Sequence, residues 1–191
     1  MRYTLFLTCI LMAFIANGQN VVSKYDSTLK IGKSGYRISC FNKLVDRNIL
    51  NIRPIGFKQE AREVSFELKG RVTGSEIDDL NLDGFPDVLI YFLDKDIKPS
   101  ILCVSSKNNE SLMPIFFPDI MNDMVLSKGY RGGDEYKLVE GILFRKFPVY
   151  ETDTAIKKPT NKVRQIMYRV VEGDQGSWKF KAFKNFDMNK D

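Results

Sequence analysis

The sequence predicts a mostly β, single-domain antiparallel sandwich or barrel with one short helix near residues 118–127. Three observations carry this expectation. Short runs alternate apolar and polar residues at the two-residue period of a half-buried strand. Clusters of Gly, Asn, Asp and Ser separate those runs, as turns require. One stretch alone carries helix start and stop signals, and many short strands with a single helix favour a sandwich or barrel.

The chain opens with Met1-Arg2, an apolar run from Leu5 to Ile15, and Ala16-Asn17-Gly18 ahead of Gln19. Charge, apolar stretch and small residues in that order are the layout of a cleaved secretory signal. Residues 1–18 are therefore expected to be removed, leaving 19–191 as one β-rich domain in the periplasm or outside the cell. A spanning helix needs ~20 apolar residues, so no membrane span is expected. A lipidated Cys9 is the competing reading; Cys9 lies inside the apolar run, and Phe6-Leu7-Thr8 lacks the small residues such a site prefers.

In the mature chain, Thr28 to Cys40 reads as two strands joined by a turn at Lys33-Ser34-Gly35, with glycine supplying the positive φ. Leu50 to Phe57 contains Pro54 and reads as an irregular edge segment, because proline cannot donate to a ladder. Glu63 to Gly70 alternates strictly. Val88 to Leu93 is apolar on both faces and reads as the central strand, with Ser100 to Ser105 beside it. Pro118-Asp119 opens the helix through Leu126, and Gly129 follows its end. Tyr136–Val139 and Gly141–Tyr150 are strands, Thr152–Lys162 a polar loop, and Arg164–Val171 forms a final hairpin with Trp178–Phe183.

Composition excludes several functions. The chain has no histidine, which removes the commonest general base and transition-metal ligand together and excludes Ser-His and Cys-His hydrolases. Asp134-Glu135 and Asp94 with Asp96 could be read as glycosidase pairs, but closeness in sequence is not the carboxylate geometry that reaction needs. The expectation is not an enzyme. The net charge of +5 is interspersed with acids and contains no basic block, so no nucleic-acid partner is expected. Cys40 and Cys103 could form a disulfide in an oxidising compartment or remain two buried thiols.

The most specific short motif is Asp79-Leu-Asn81-Leu-Asp83-Gly84-Phe85-Pro-Asp87. Side-chain oxygens at alternate positions, a glycine for the sharp turn, the Phe85 carbonyl and a further acid at Asp87 are a hard-oxygen set suited to structural calcium. Position twelve of the loop is Ile90 where an EF-hand has glutamate, and a strand follows where an EF-hand has a helix. The loop resembles the calcium loops that precede β-strands in integrin-type and other extracellular repeats. Its metal-free reading is a turn whose Asp79, Asn81 and Asp83 side chains cap backbone N–H groups. Asp78, Asp94 and Asp96 read as solvent-facing charges.

A second candidate is Tyr130–Tyr136. Tyr130, Arg131, Gly132, Asp134 and Tyr136 form a partner-binding patch if exposed, since aromatics and arginine dominate such contacts. Alternatively the tyrosines pack inward with satisfied hydroxyls. Arg145, Phe147, Pro148 and Tyr150 read as core-closing, and Trp178 as a core or edge aromatic.

From about Glu76 to Tyr168 the chain resembles the periplasmic inhibitors of I-type (invertebrate-type) lysozyme. The resemblance runs through the Asp79–Ile90 turn and strand, then Lys128-Gly-Tyr130-Arg-Gly132-Gly-Asp134-Glu-Tyr136, Val139-Glu-Gly141, and Leu143-Phe-Arg145-Lys-Phe147-Pro148-Val-Tyr150. It ends with Pro159-Thr160, Arg164-Gln165 and Tyr168. It implies an antiparallel β fold and a protein that blocks a lysozyme, or engages another envelope protein, without chemistry of its own. The inhibitors insert a Ser-Gly-x-Tyr loop that follows the hydrophobic strand. Here Asp94–Ser100 lacks that motif, while Ser34-Gly35-Tyr36 lacks the intervening residue and lies in another hairpin. The runner-up expectation is a calcium-stabilised structural module of the envelope with no lysozyme partner.

Overall fold

The computed structural model describes residues 24–58, 61–152 and 158–190. The expected signal segment 1–18 lies outside these residues. The described chain forms strands β1 (Tyr25–Ile31), β2 (Ser34–Cys40), β3 (Asn48–Ile55), β4 (Val64–Leu68), β5 (Gly70–Asp78) and β6 (Asp87–Asp94). They are followed by β7 (Pro99–Lys107), β8 (Ser111–Phe116), β9 (Glu135–Val139), β10 (Ile142–Tyr150), β11 (Pro159–Glu172) and β12 (Trp178–Asn189). β1 to β4 make one antiparallel sheet in chain order. The other eight strands form a second sheet in the order β5-β6-β7-β8-β12-β11-β10-β9. Its pairs are antiparallel except β8 with β12, which run parallel where Ile115 and Phe116 meet Trp178 and Lys179.

The large sheet curls until its ends meet. Asp78, closing β5, accepts a 2.7 Å hydrogen bond from Gly141 N in the β9–β10 turn, which makes a nearly closed barrel. Leu89, Cys103, Leu143, Phe147, Ile166, Tyr168 and Phe180 fill its interior. The small sheet lies on the outside of β5–β7, where Tyr36, Ile38, Leu50 and Ile52 pack with Val88, Ile90 and Val104. Sandwich and barrel therefore coexist, and β6 is shared. Val88, Leu89 and Ile90 are all fully buried; Val88 and Ile90 face the small sheet and Leu89 faces the barrel interior. Two covered faces are the physical reason that this run shows no polar alternation.

Several local expectations shift. The first hairpin turns at Gly32-Lys33, with Gly32 at φ +59°, and Gly35 lies within β2. A Cβ on Gly35 would collide with the Leu29 carbonyl, so that glycine serves close strand approach. β3 is an interior strand. Its Pro54 lies past the last β3–β4 pair, Ile52 with Val64, where only β2 remains as neighbour. The helix expected at 118–127 contracts to a single 3-10 turn, Ile120–Asn122. Asp119 caps that turn through Met121 N at 2.9 Å, and Asp123 caps a separate turn through Val125 N and Leu126 N at 2.9 and 3.0 Å. Aspartates that bond nearby N–H groups compete with helix propagation, and so short a segment has little cooperativity to resist them. Of the polar loop, 153–157 lie outside the described residues, while Pro159–Lys162 belong to β11. The pattern leaves β5 and β8 unassigned, because Gly70, Gly74 and Pro114 interrupt their alternation.

Cys40 and Cys103 are free thiols, both buried. Cys40 belongs to the core between the sheets and Cys103 to the barrel interior. Burial pushes the Cys103 thiol well above its ordinary range.

Candidate functional site

The carboxylate loop joins β5 to β6 and is built almost entirely from side-chain caps. Leu82 at φ +61° and Gly84 at φ +85° let the chain double back. Asp79 accepts from Asp83 N at 3.0 Å through one oxygen and from Gly84 N at 2.9 Å through the other. Asn81 Oδ1 accepts from Asp83 N at 3.1 Å, and Asp83 Oδ1 accepts from Phe85 N at 2.9 Å. Asn81 Nδ2 donates to Asp83 Oδ2 and to Ser105 Oγ, each at 3.0 Å. These are the bonds of the metal-free turn.

Asp87 has a different role. It is fully buried, and its Oδ2 accepts from Leu80 N at 2.9 Å and Asn81 N at 3.2 Å. Its Oδ1 accepts from Ser106 N in β7 at 3.2 Å. Burial pushes its carboxyl up to about 7, despite hydrogen bonds from Ser105, Leu80 and Asn81 that favour the ion. The nearby Asp83 charge acts in the same direction as burial. Asp87 is thus the anchor that ties the loop to β7. The loop is also pinned to the small sheet, where Tyr36 donates its hydroxyl to Pro86 O at 2.5 Å. Lys58 Nζ lies 5.0 Å from the Phe85 ring.

The donor set suits a hard cation in part. A carboxylate has about four lone-pair positions, so Asp79, Asn81 and Asp83 keep acceptor capacity beyond their backbone caps. With the Phe85 carbonyl and water they could hold calcium, which takes oxygen ligands with flexible geometry. Asp87 is already engaged by three backbone N–H groups. Among the described residues no three Asp, Glu, Cys or His side chains gather as a metal cage.

Two acids expected to face solvent are structural. Asp78 joins the barrel ends, and Asp94 caps the β6–β7 turn through Asp96 N and Lys98 N, both at 2.8 Å. Asp96 is exposed and pairs with Lys95 at 2.8 Å. The same turn follows the hydrophobic strand β6, where the expected resemblance would put a Ser-Gly-x-Tyr loop. It is tight, closed by Ile97 N to Asp94 O and Asp94 N to Lys98 O at 3.0 Å each. Tyr36 of the Ser-Gly-Tyr triplet is completely buried, so it cannot enter a groove on another molecule.

At the second candidate site, Tyr130, Asp134 and Tyr136 turn inward around Arg145. Arg145 Nε donates to Asp134 Oδ1 at 2.6 Å, with both side chains buried. Tyr130 donates to Asp134 Oδ2 at 2.5 Å and accepts from Arg145 Nη2 at 3.1 Å. The guanidinium carbon lies 5.1–5.9 Å from the ring centres of Tyr130, Tyr136, Phe147 and Phe117. Burial, then the Asp134 bond, pushes the Tyr130 hydroxyl up to about 12. Burial opposes the Arg145 charge, and its bond to Asp134 more than restores it. Asp134 is thus buried, and Tyr130 and Tyr136 are half-buried with their rings packed against the barrel core, as the inward reading of this partner-binding candidate has it. Arg131 is exposed and Gly132 half-exposed, with φ +87° at Gly132.

No protein-family model matches this chain, and no curated protein matches it.

The residues that sequence reasoning missed are Tyr36, Ser105 and Ser106. Each reaches the loop from a distant strand. The one signal they offered was a pair of serines, both fully buried, directly after the apolar run Ile101–Val104 of β7.

Proposed function

We propose that the chain is a non-enzymatic binding protein of the bacterial envelope with a lysozyme-inhibitor-like β fold, exported to the periplasm or beyond and protecting the envelope against a lysozyme. One observation carries this reading. Tyr130, Asp134, Tyr136, Arg145, Phe147 and Tyr168, all residues of the resemblance, converge on one buried cluster although they come from three separate stretches of chain. Residues that share one network constrain one another, and it is this shared network that supports the reading. The inhibitory loop is missing, so any contact with a lysozyme must use another surface. Turbidity assays with I-, c- and g-type lysozymes test the reading. Loss of at least one activity at micromolar protein is expected, and full activity of all three would sink it.

A second reading, a calcium-stabilised envelope module without a lysozyme partner, is favoured by the oxygen arrangement of Asp79, Asn81 and Asp83. A ligand that binds only the folded chain raises its stability by about 2.7 kcal/mol at a hundredfold excess over Kd. For a domain of this size that is roughly 5–10 °C in Tm. Calorimetry in millimolar calcium and then in excess chelator is expected to show such a shift, and Asp79→Asn with Asp83→Asn to abolish it. An unchanged midpoint would remove the cation.

A further inference from the structure

Among the described residues, no second sheet covers the outward face of β9–β12. The small sheet lies over β5–β7, and no residue of β9–β12 belongs to the core beneath it. The outward residues of β9–β12 follow from register. One row across the strands is Lys137, Phe144, Met167 and Lys184; the next is Glu135, Lys146, Gln165 and Phe186. Pro148, Val163 and Met188 form a third row, with Arg169 opposite Lys181 and Val171 opposite Lys179 on the other side.

The composition of this face is one-sided. Lys137, Lys146, Arg169, Lys179, Lys181 and Lys184 are its cations, and Glu135 is the one acid in these rows. Among the described residues none of the six cations makes an ion pair. Arg169 lies 5.6 Å over the Phe183 ring and Lys184 lies 5.8 Å over Phe186. Between the cations sit Phe144, Met167, Phe186 and Met188, all half-buried at the level of the sheet. Two shallow depressions of about 420 and 380 Å³ open here, one floored by Phe144 and the other by Pro148, Val163 and Met188. With strands ~4.8 Å apart and ~3.3 Å per residue, the face measures roughly 20 by 30 Å. That approaches the ~800 Å² each partner buries in a standard interface.

The geometry points to this face as a docking surface for a protein that presents acidic side chains. Phenylalanine and methionine are enriched in protein interfaces, and Phe144 and Met167 lie between Lys137 and Lys184 in one row. A second copy of the chain would oppose six cations with six, so self-association is disfavoured. Lipid is disfavoured because the apolar side chains lie among the lysines and form no continuous apolar patch. Phosphate-bearing polymers, which lysines also attract, are an outcome that the test distinguishes. The inference rests on the binding-protein reading only in taking the partner to be a protein.

The test measures binding of the folded full chain to poly-L-glutamate by anisotropy at about 50 mM and 150 mM salt, where screening differs. Phosphatidylglycerol vesicles and duplex DNA serve as comparators. The variant K137E/K146E/K181E/K184E reverses the face; K30E/K33E/K69E/K107E reverses four exposed lysines elsewhere. Affinity for poly-L-glutamate is expected to fall more than tenfold in the first variant and less than twofold in the second, with Phe144→Ala weakening it several-fold. If the quadruple face variant fails to fold, K181E/K184E replaces it, since both side chains are exposed. Equal losses in face and control variants would overturn the assignment, as would tighter binding to vesicles or DNA than to poly-L-glutamate. Selective poly-L-glutamate binding with no lysozyme inhibited would remove the lysozyme partner and leave the face. Lysozyme inhibition unchanged by the face variant would do the reverse.

Discussion

Arg145→Met is expected to lower the stability of the folded chain by about 3–5 kcal/mol, the cost of leaving one member of a buried ion pair without its partner. Urea unfolding, with the shift read as midpoint times slope, measures it. The stranded group is the Asp134 carboxylate, which would keep its bond from Tyr130 but lose the 2.6 Å Arg145 contact while remaining buried. The four rings around the guanidinium would lose their cation as well. The double variant Asp134→Leu/Arg145→Met is expected to recover much of the loss, because replacing both partners removes the unpaired charge. Equal destabilisation of single and double variants would show that packing volume, rather than charge pairing, sets the stability of this cluster.

Asp87→Ala is expected to cost about 3 kcal/mol or more, since it strands the buried N–H groups of Leu80, Asn81 and Ser106 at ~1–3 kcal/mol each. Its pH signature is more specific. Burial holds the Asp87 carboxyl near pKa 7 in the folded chain, against an ordinary 3.8. The folded state therefore binds the proton more tightly than the unfolded state. The contribution is fully present below about pH 4 and is lost as pH rises toward 7. Asp26 and Asp187 have the opposite sign. Hydrogen bonds from Arg37 and Arg164 respectively hold them below the usual carboxylate range, so their contribution is lost as pH falls below about 4. The two windows do not overlap. In chelator, unfolding free energy is expected to decline from pH 4 to 7, and Asp87→Asn to flatten that decline without altering the acid limb. A profile unchanged by Asp87→Asn would assign the slope to another group.

The strands were legible where burial is simple. β4, β9, β10 and the β11–β12 hairpin each bury one face, so alternation reveals them. β6 was legible for the opposite reason, its two covered faces. β5 and β8 were not, because their glycines and proline act through a neighbour. Gly70 lets β5 approach the Leu93 carbonyl, and Pro114 precedes the parallel pairing of Ile115 with Trp178. The expected helix shrinks to one turn because Asp119 and Asp123 look alike as helix formers and as turn caps. Which N–H each one meets depends on where Ile120 and Leu126 must go to join the barrel core.

The sequence by itself determined the β class, the first and last hairpins, the exclusion of histidine chemistry and the position of the carboxylate loop. All of these depend on residue type and short-range spacing. Tertiary structure alone decided what the charged groups do. It made Asp87 an anchor and Asp78 a clasp, and it turned Tyr130, Asp134 and Tyr136 toward Arg145. It also gathered on one open face six cations that form no ion pair among the described residues. A side chain's role follows from its partner and its burial, and both come from strands brought together across long stretches of chain.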